Sequence, residues 1–189
     1  MPEFKNDIDT CITTLDNNGI ILYPTDTIWG IGCDATNATA IKKVYQLKKR
    51  EEKKSMIILV TDEIMLNNYV LHPSKKIIEF LSIQNKPTTA IFENAVNLPT
   101  ELINADGSIA IRIVKDKFCK MLIQQLKKPL VSTSANISGE KYPQNFNEIF
   151  GEIKNGVDYI VQHRQNEIKM HEPSAIIRLN NSDEIIQLR

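Results

Sequence analysis

The chain has 189 residues, 42% of them hydrophobic, with 23 basic side chains balanced by 23 acidic ones for a formal net charge of +0. That length sustains one domain, residues 1–189, with its own core, and the charge balance excludes the globally basic footprint of a dedicated nucleic-acid binder while leaving room for a local basic patch. Cys11, Cys33 and Cys119 are widely spaced without a C-x-x-C, and no apolar run nears the roughly 18 residues that cross a bilayer, so reduced thiols, no membrane and a cytoplasmic location are expected.

Residues 7–18 place Ile8, Cys11, Ile12 and Leu15 on one helical face, ended by Gly19. "IILYP" follows as a strand and "TIWGIGCDA" as a second, irregular at Gly30 and Gly32. Asn37 caps a helix reaching about Lys49, with Ile41, Val44 and Tyr45 inward, and "SMIILVT" is a buried strand by its unbroken apolar run. Pro73 opens a helix carrying Ile77, Ile78 and Leu81. "TTAIFE" and "SIAIRIV" read as strands, "KFCKMLIQQL" as a helix and "PLVST" as a strand. A short helix near residues 146–149 and the strands "VDYIVQ", "SAIIRL" and "EIIQLR" complete the chain. Helices and strands alternate without repeats, which predicts an α/β domain on a mixed sheet.

Three polar clusters follow strands or precede them: "YPTDT", the basic run "LKKREEKKS" and "STSANISG". Loops at strand ends are where α/β sheets place binding sites. The basic run holds Lys48, Lys49, Arg50, Lys53 and Lys54 around Glu51 and Glu52, and reads either as a solvated helix end or as a phosphate clamp. Its four charged residues 51–54 are also a candidate lid. "STSAN" is either a turn satisfying its own backbone or a surface for a polar ligand. "GIGCDA" is no dinucleotide fingerprint, because "TDTIW" separates it from the first strand. No phosphate-binding G-x-x-x-x-G-K-[ST] loop and no G-x-S-x-G elbow is present. His72, His163 and His171 lack metal-ligand spacing, and His171 in "KMHEPS" reads as a solvated loop residue.

Taken in order, "ILYPTDTIWGIGCDA", "LKKR", "IAIRIV", "KPLVSTSANISGE" and "EPSAII" resemble the successive signatures of the YrdC/Sua5 family, from about Ile20 onward, in its short TsaC-like form. The resemblance implies a YrdC-like twisted mixed sheet with flanking helices. It also implies synthesis of threonylcarbamoyl-AMP from L-threonine, bicarbonate and ATP for the t6A modification of tRNA. The family's K-x-R and S-x-N pairs map onto Lys48, Arg50, Ser134 and Asn136, with Lys48 and Arg50 facing the phosphates and the forming carbamate. Lys54, Thr89, Ser132 and Arg189 join Arg50, Ser134 and Asn136 as the implied ATP contacts, and Thr25, Thr27, Arg112 and Ser174 are the implied threonine contacts. Arg112 reads equally as a strand arginine paired within the protein. Mg2+ is implied with ATP, without dedicated protein ligands, and the implied partners are a downstream threonylcarbamoyl transferase and, weakly, tRNA. Two departures stand out: Glu51 replaces the proline after the K-x-R arginine, and the customary P-G-P-x-T is reduced to "NKPTT". A YciO-like paralogue working as an RNA-binding module or on a related adenylate is the alternative; a hydrogenase-maturation carbamoyl transferase needs segments that this sequence lacks.

Overall fold

The computed structural model describes residues 3–51, 56–168 and 172–189. In chain order it runs α1 (Lys5–Asp16), β1 (Ile21–Tyr23), β2 (Gly30–Gly32), α2 (Ala38–Leu47), β3 (Ile57–Val60), α3 (Glu63–Leu66), α4 (Lys75–Ile83), β4 (Thr88–Phe92) and β5 (Ile109–Ile113). It continues with α5 (Lys117–Leu126), β6 (Leu130–Ser134), a 3-10 turn (Phe146–Glu148), α6 (Gly151–Asn155), β7 (Tyr159–Ile160), β8 (Ala175–Leu179) and β9 (Ile185–Gln187). The helix starts follow from capping chemistry: the side chains of Asn37, Ser74 and Asp116 accept the backbone N–H of Ala40, Ile77 and Cys119. Lys127, at φ 58°, closes α5 in the left-handed region and turns the chain into β6.

The nine strands form one mixed sheet in the order β7-β1-β2-β6-β3-β5-β4-β8-β9. The β1/β7, β3/β5 and β4/β8 pairs are parallel and the other five antiparallel. Alternating side chains divide into two cores. Ile31, Ile58, Val60, Phe92, Ile111 and Val131 pack under Ile41, Val44, Ile77 and Leu81 of α2 and α4. On the other face, Ile21, Tyr23, Leu59 and Leu130 pack under Ile8, Cys11 and Leu15 of α1 and Phe118 and Leu122 of α5.

Gly32 is small for a packing reason. A Cβ there would stand 2.7 Å from Cε1 of the buried Tyr23 ring and 2.8 Å from the Val131 carbonyl oxygen. The Tyr23 ring thus lies against the irregular strand, which pairs as β2 over only three residues of the longer stretch expected. "VDYIVQ" likewise pairs over only two residues, at the sheet's edge. The short α3 and α6 lie in stretches where no helix was expected.

Candidate functional site

α1 and α5 cover only part of the second face. Two residues along from Leu59 and Leu130, that face carries Ile57 and Ser132, in register with each other, and Ala110 is paired with Ile91 on the neighbouring strands. These residues floor a cavity of about 400 Å³, within the usual size of small-molecule sites. Arg50, Arg112 and Arg189 line it and, among the described residues, no Asp or Glu does. A chain without net charge therefore concentrates positive charge at one place. Burial pulls the pKa of Arg50 and of Arg189 below the ordinary arginine value, yet a guanidinium stays charged through such shifts.

The "PTDT" turn supplies one wall. The Thr25 hydroxyl donates to the Ile28 carbonyl at 2.8 Å and accepts the Thr27 N–H at 3.0 Å. The 2.8 Å contact between the two threonine hydroxyls is then a bond from Thr27 to Thr25, since the single proton of Thr25 is already placed. Thr27 in turn accepts from Arg112 Nη1 at 3.1 Å, and Arg112 Nη2 pairs with Asp26 at 3.2 Å. Arg112 is therefore both a cavity residue and an internally paired one, and its Nε is buried without a hydrogen-bond partner among the described residues. Thr27 faces the cavity, and Thr25 stands behind it.

The opposite wall joins β8 to the end of the chain. Ser174 lines the cavity, and its hydroxyl meets that of buried Thr89 at 2.8 Å. The Ser174 carbonyl accepts two bonds from Arg189, from Nε at 3.1 Å and Nη2 at 3.0 Å, which fixes that arginine against the site. Thr89 supports Ser174 and is absent from the wall itself.

The third wall is the end of β6, which presents Ser132 and Ser134. Asn136 lies behind it, donating to the carbonyls of Ile137 at 3.0 Å and Glu140 at 2.6 Å. Lys48 lies there too, against the expectation that it faces phosphates beside Arg50. It is 1% exposed, and its Nζ donates to the carbonyls of Ser134 and Asn136. Burial first, and then the nearby Arg50 charge, lower its pKa to about 7. The separation arises between them: Lys49 has φ 49°, so the chain reverses, and Arg50 alone reaches the cavity. Lys54 and His171, and the 52–54 part of the candidate lid, lie outside the described residues.

Sequence reasoning missed Trp29 and Tyr142, which also line the cavity. Trp29 is the only tryptophan in the chain and directly follows the "PTDTI" turn, a placement that was itself a signal. Its ring packs on Phe146 at 4.9 Å, which holds its orientation. No group of three His, Cys, Asp or Glu stands together among the described residues, so they offer no cluster for a resident metal ion. No helix among them is long and apolar enough to cross a membrane.

A family model for the Sua5/YciO/YrdC domain, described as "Telomere recombination", matches residues 13–189. The threonylcarbamoyl-AMP synthase of Pseudoalteromonas translucida is 31% identical over 160 residues, covering 83% of this chain and 86% of that protein. The structure of P. abyssi Sua5 complexed with L-threonine superposes with a TM-score of 0.85 at 19% identity, covering 96% of this chain and 53% of that one. The chain thus spans about half the length of that Sua5. E. coli YciO superposes with a TM-score of 0.81 at 21% identity, covering 97% of this chain and 88% of that one.

Proposed function

This chain belongs to the Sua5/YciO/YrdC family, and on that premise we propose that it is a threonylcarbamoyl-AMP synthase acting on L-threonine, bicarbonate and ATP. The threonine amine attacks the bicarbonate carbon and water is lost, giving N-carboxythreonine. A carboxylate oxygen of that intermediate then attacks the α-phosphorus of ATP. The bond to the β-phosphate breaks, and pyrophosphate leaves with the electron pair. The observation that carries this reading is the cavity with three guanidinium groups, no Asp or Glu among the described lining residues, and the small hydroxyls of Thr27, Ser132, Ser134 and Ser174. Positive charge held in place is what a triphosphate and a departing pyrophosphate require, and small side chains let the backbone approach the ligand.

In this reading Arg50 and Arg189 neutralise phosphates, with Lys54 as a further cation from the same motif. Ser132 and Ser134 bind the nucleotide, while Asn136 and Thr89 hold its walls. Thr27, Arg112 and Ser174 bind threonine, with Thr25 fixing the Thr27 hydroxyl. Trp29 and Tyr142 offer aromatic faces to the substrates. Mg2+ enters with ATP as part of the substrate. The product passes to a threonylcarbamoyl transferase for tRNA modification in the cytoplasm, and any tRNA contact by this chain is weak.

Pyrophosphate release from ATP by the purified protein tests the reading. Release that needs both threonine and bicarbonate is expected. Release indifferent to threonine would overturn it in favour of a YciO-like activity, a reading favoured by one observation: Glu51, an acid, directly follows Arg50 where the family usually has proline.

A further inference from the structure

Lys48 is the residue that caps the end of α2, and both its side chain and its backbone are engaged with the corner after β6. Nζ donates to the Asn136 carbonyl at 2.6 Å and also to the Ser134 carbonyl. The Lys48 carbonyl accepts the Ser138 N–H at 2.8 Å. Between these attachments the corner is a tight three-residue turn, closed by the Asn136 N–H on the Ser134 carbonyl at 2.9 Å. The Ala135 N–H at its centre bonds to the Trp29 carbonyl at 3.1 Å. One buried amine therefore takes the carbonyls on both sides of Ala135, and Lys48 contributes nothing to the cavity wall.

We propose that Lys48 is a positioning residue: it fixes the corner that presents Ser134 to the cavity and locks it to the end of α2 from which Arg50 reaches the same cavity, without touching substrate. Its consequence for catalysis rests on the synthase reading, in which Ser134 and Arg50 act on one nucleotide from two segments far apart in sequence. The arrangement suits the amine in either protonation state. A neutral amine retains two N–H donors, one for each carbonyl, so the lowered pKa of about 7 does not dissolve the link. A lysine that binds phosphate would instead need its head in the cavity and its charge intact.

Reductive methylation of the wild-type protein, read by peptide mass spectrometry with and without ATP, separates the two roles. Lys49, with a side chain 63% exposed, is expected to be methylated, and Lys48 to remain unmodified in both conditions. An amine exposed to solvent in the cavity would react as that of Lys49 does. Methylation of Lys48 that ATP suppresses would therefore overturn the proposal. Hydrogen exchange on ligand-free Lys48→Met is the second arm. The amides of Ala135, Asn136 and Ser138 are expected to exchange roughly tenfold faster or more, with α5 unchanged. Undiminished protection of those amides would also overturn it. If Lys48→Met does not fold, the methylation arm decides on the wild-type protein alone.

Ligand binding gives a third readout, using ATP and AMP as probes. Lys48→Met is expected to weaken both, because the Ser134 corner is released whichever nucleotide binds, whereas Arg50→Ala weakens ATP more than AMP. A loss confined to ATP in Lys48→Met would mark a phosphate contact and reject the positioning role. The first two arms use no turnover. Absence of threonine-dependent pyrophosphate release would defeat the synthase reading while leaving what those two arms show of Lys48 intact.

Discussion

Replacing Arg112 with Met separates the two roles that the structure gives this residue. Its side chain is 5% exposed, and that of its partner Asp26 is 19% exposed, at 3.2 Å. Removing one member of a buried ion pair costs about 3–5 kcal/mol, because the other charge is left without compensation. Asp26 keeps some contact with water, so the lower end, about 3 kcal/mol, is expected. For a domain of this size that lowers Tm by about 6–12 °C. Removing the orphaned charge as well, in Arg112→Met/Asp26→Asn, should return about half of the loss. Activity should behave differently. If Arg112 holds the threonine carboxylate, both variants lose a charge-assisted hydrogen bond worth about 1.5–3 kcal/mol, or roughly 10- to 150-fold in kcat/KM for threonine. The assay is thermal unfolding beside steady-state kinetics on wild type, Arg112→Met, Asp26→Asn and the double variant. A double variant that regains activity along with stability would refute the threonine-binding role, leaving Arg112 as a partner of Asp26 and nothing more.

Arg50→Ala should lower kcat/KM by roughly 10²- to 10³-fold, the loss of about 2.7–4 kcal/mol of charge stabilisation, with far-UV circular dichroism unchanged; near-normal turnover would remove Arg50 from the mechanism. Gly32→Ala should destabilise by about 2–3 kcal/mol in urea unfolding, since the new Cβ meets both the Tyr23 ring and the Val131 carbonyl. Lys48 predicts a pH dependence. Its pKa is about 7 when folded against an ordinary 10.5, so the unfolded chain binds more protons between these values, and this residue's contribution to stability rises with pH across that window. Urea unfolding at pH 7, 8 and 9 should show wild type gaining stability relative to Lys48→Met, and parallel curves would contradict the shift.

Local signals carried most of the fold. The periodicity of Ile8, Cys11 and Leu15 and the capping side chain of Asn37 each mark a helix by chemistry within a few residues. α3 is only four residues long and leaves too short a pattern to read. The extent of β2 depends on the Tyr23 ring packing against Gly32, a contact between strands. The sheet order was not legible either, because pairings such as β3 with β6 join segments distant in sequence.

The site divides in the same way. Motif order brought Thr27, Arg50, Arg112, Ser132, Ser134, Ser174 and Arg189 to one cavity. Motif spacing did not reveal that Lys48 and Arg50 part company. In an extended strand, residues i and i+2 would share a face, but the left-handed backbone of Lys49 removes that rule here. Tyr142 enters the cavity through tertiary packing, which no short motif records.

The most direct test of the proposed synthase is to supply 13C-bicarbonate with ATP and L-threonine and to analyse the AMP-linked product by mass spectrometry. A synthase forms threonylcarbamoyl-AMP carrying one heavy carbon, in step with pyrophosphate, and none without threonine. AMP or an adenylate without the heavy carbon, at any rate of ATP consumption, would contradict that assignment.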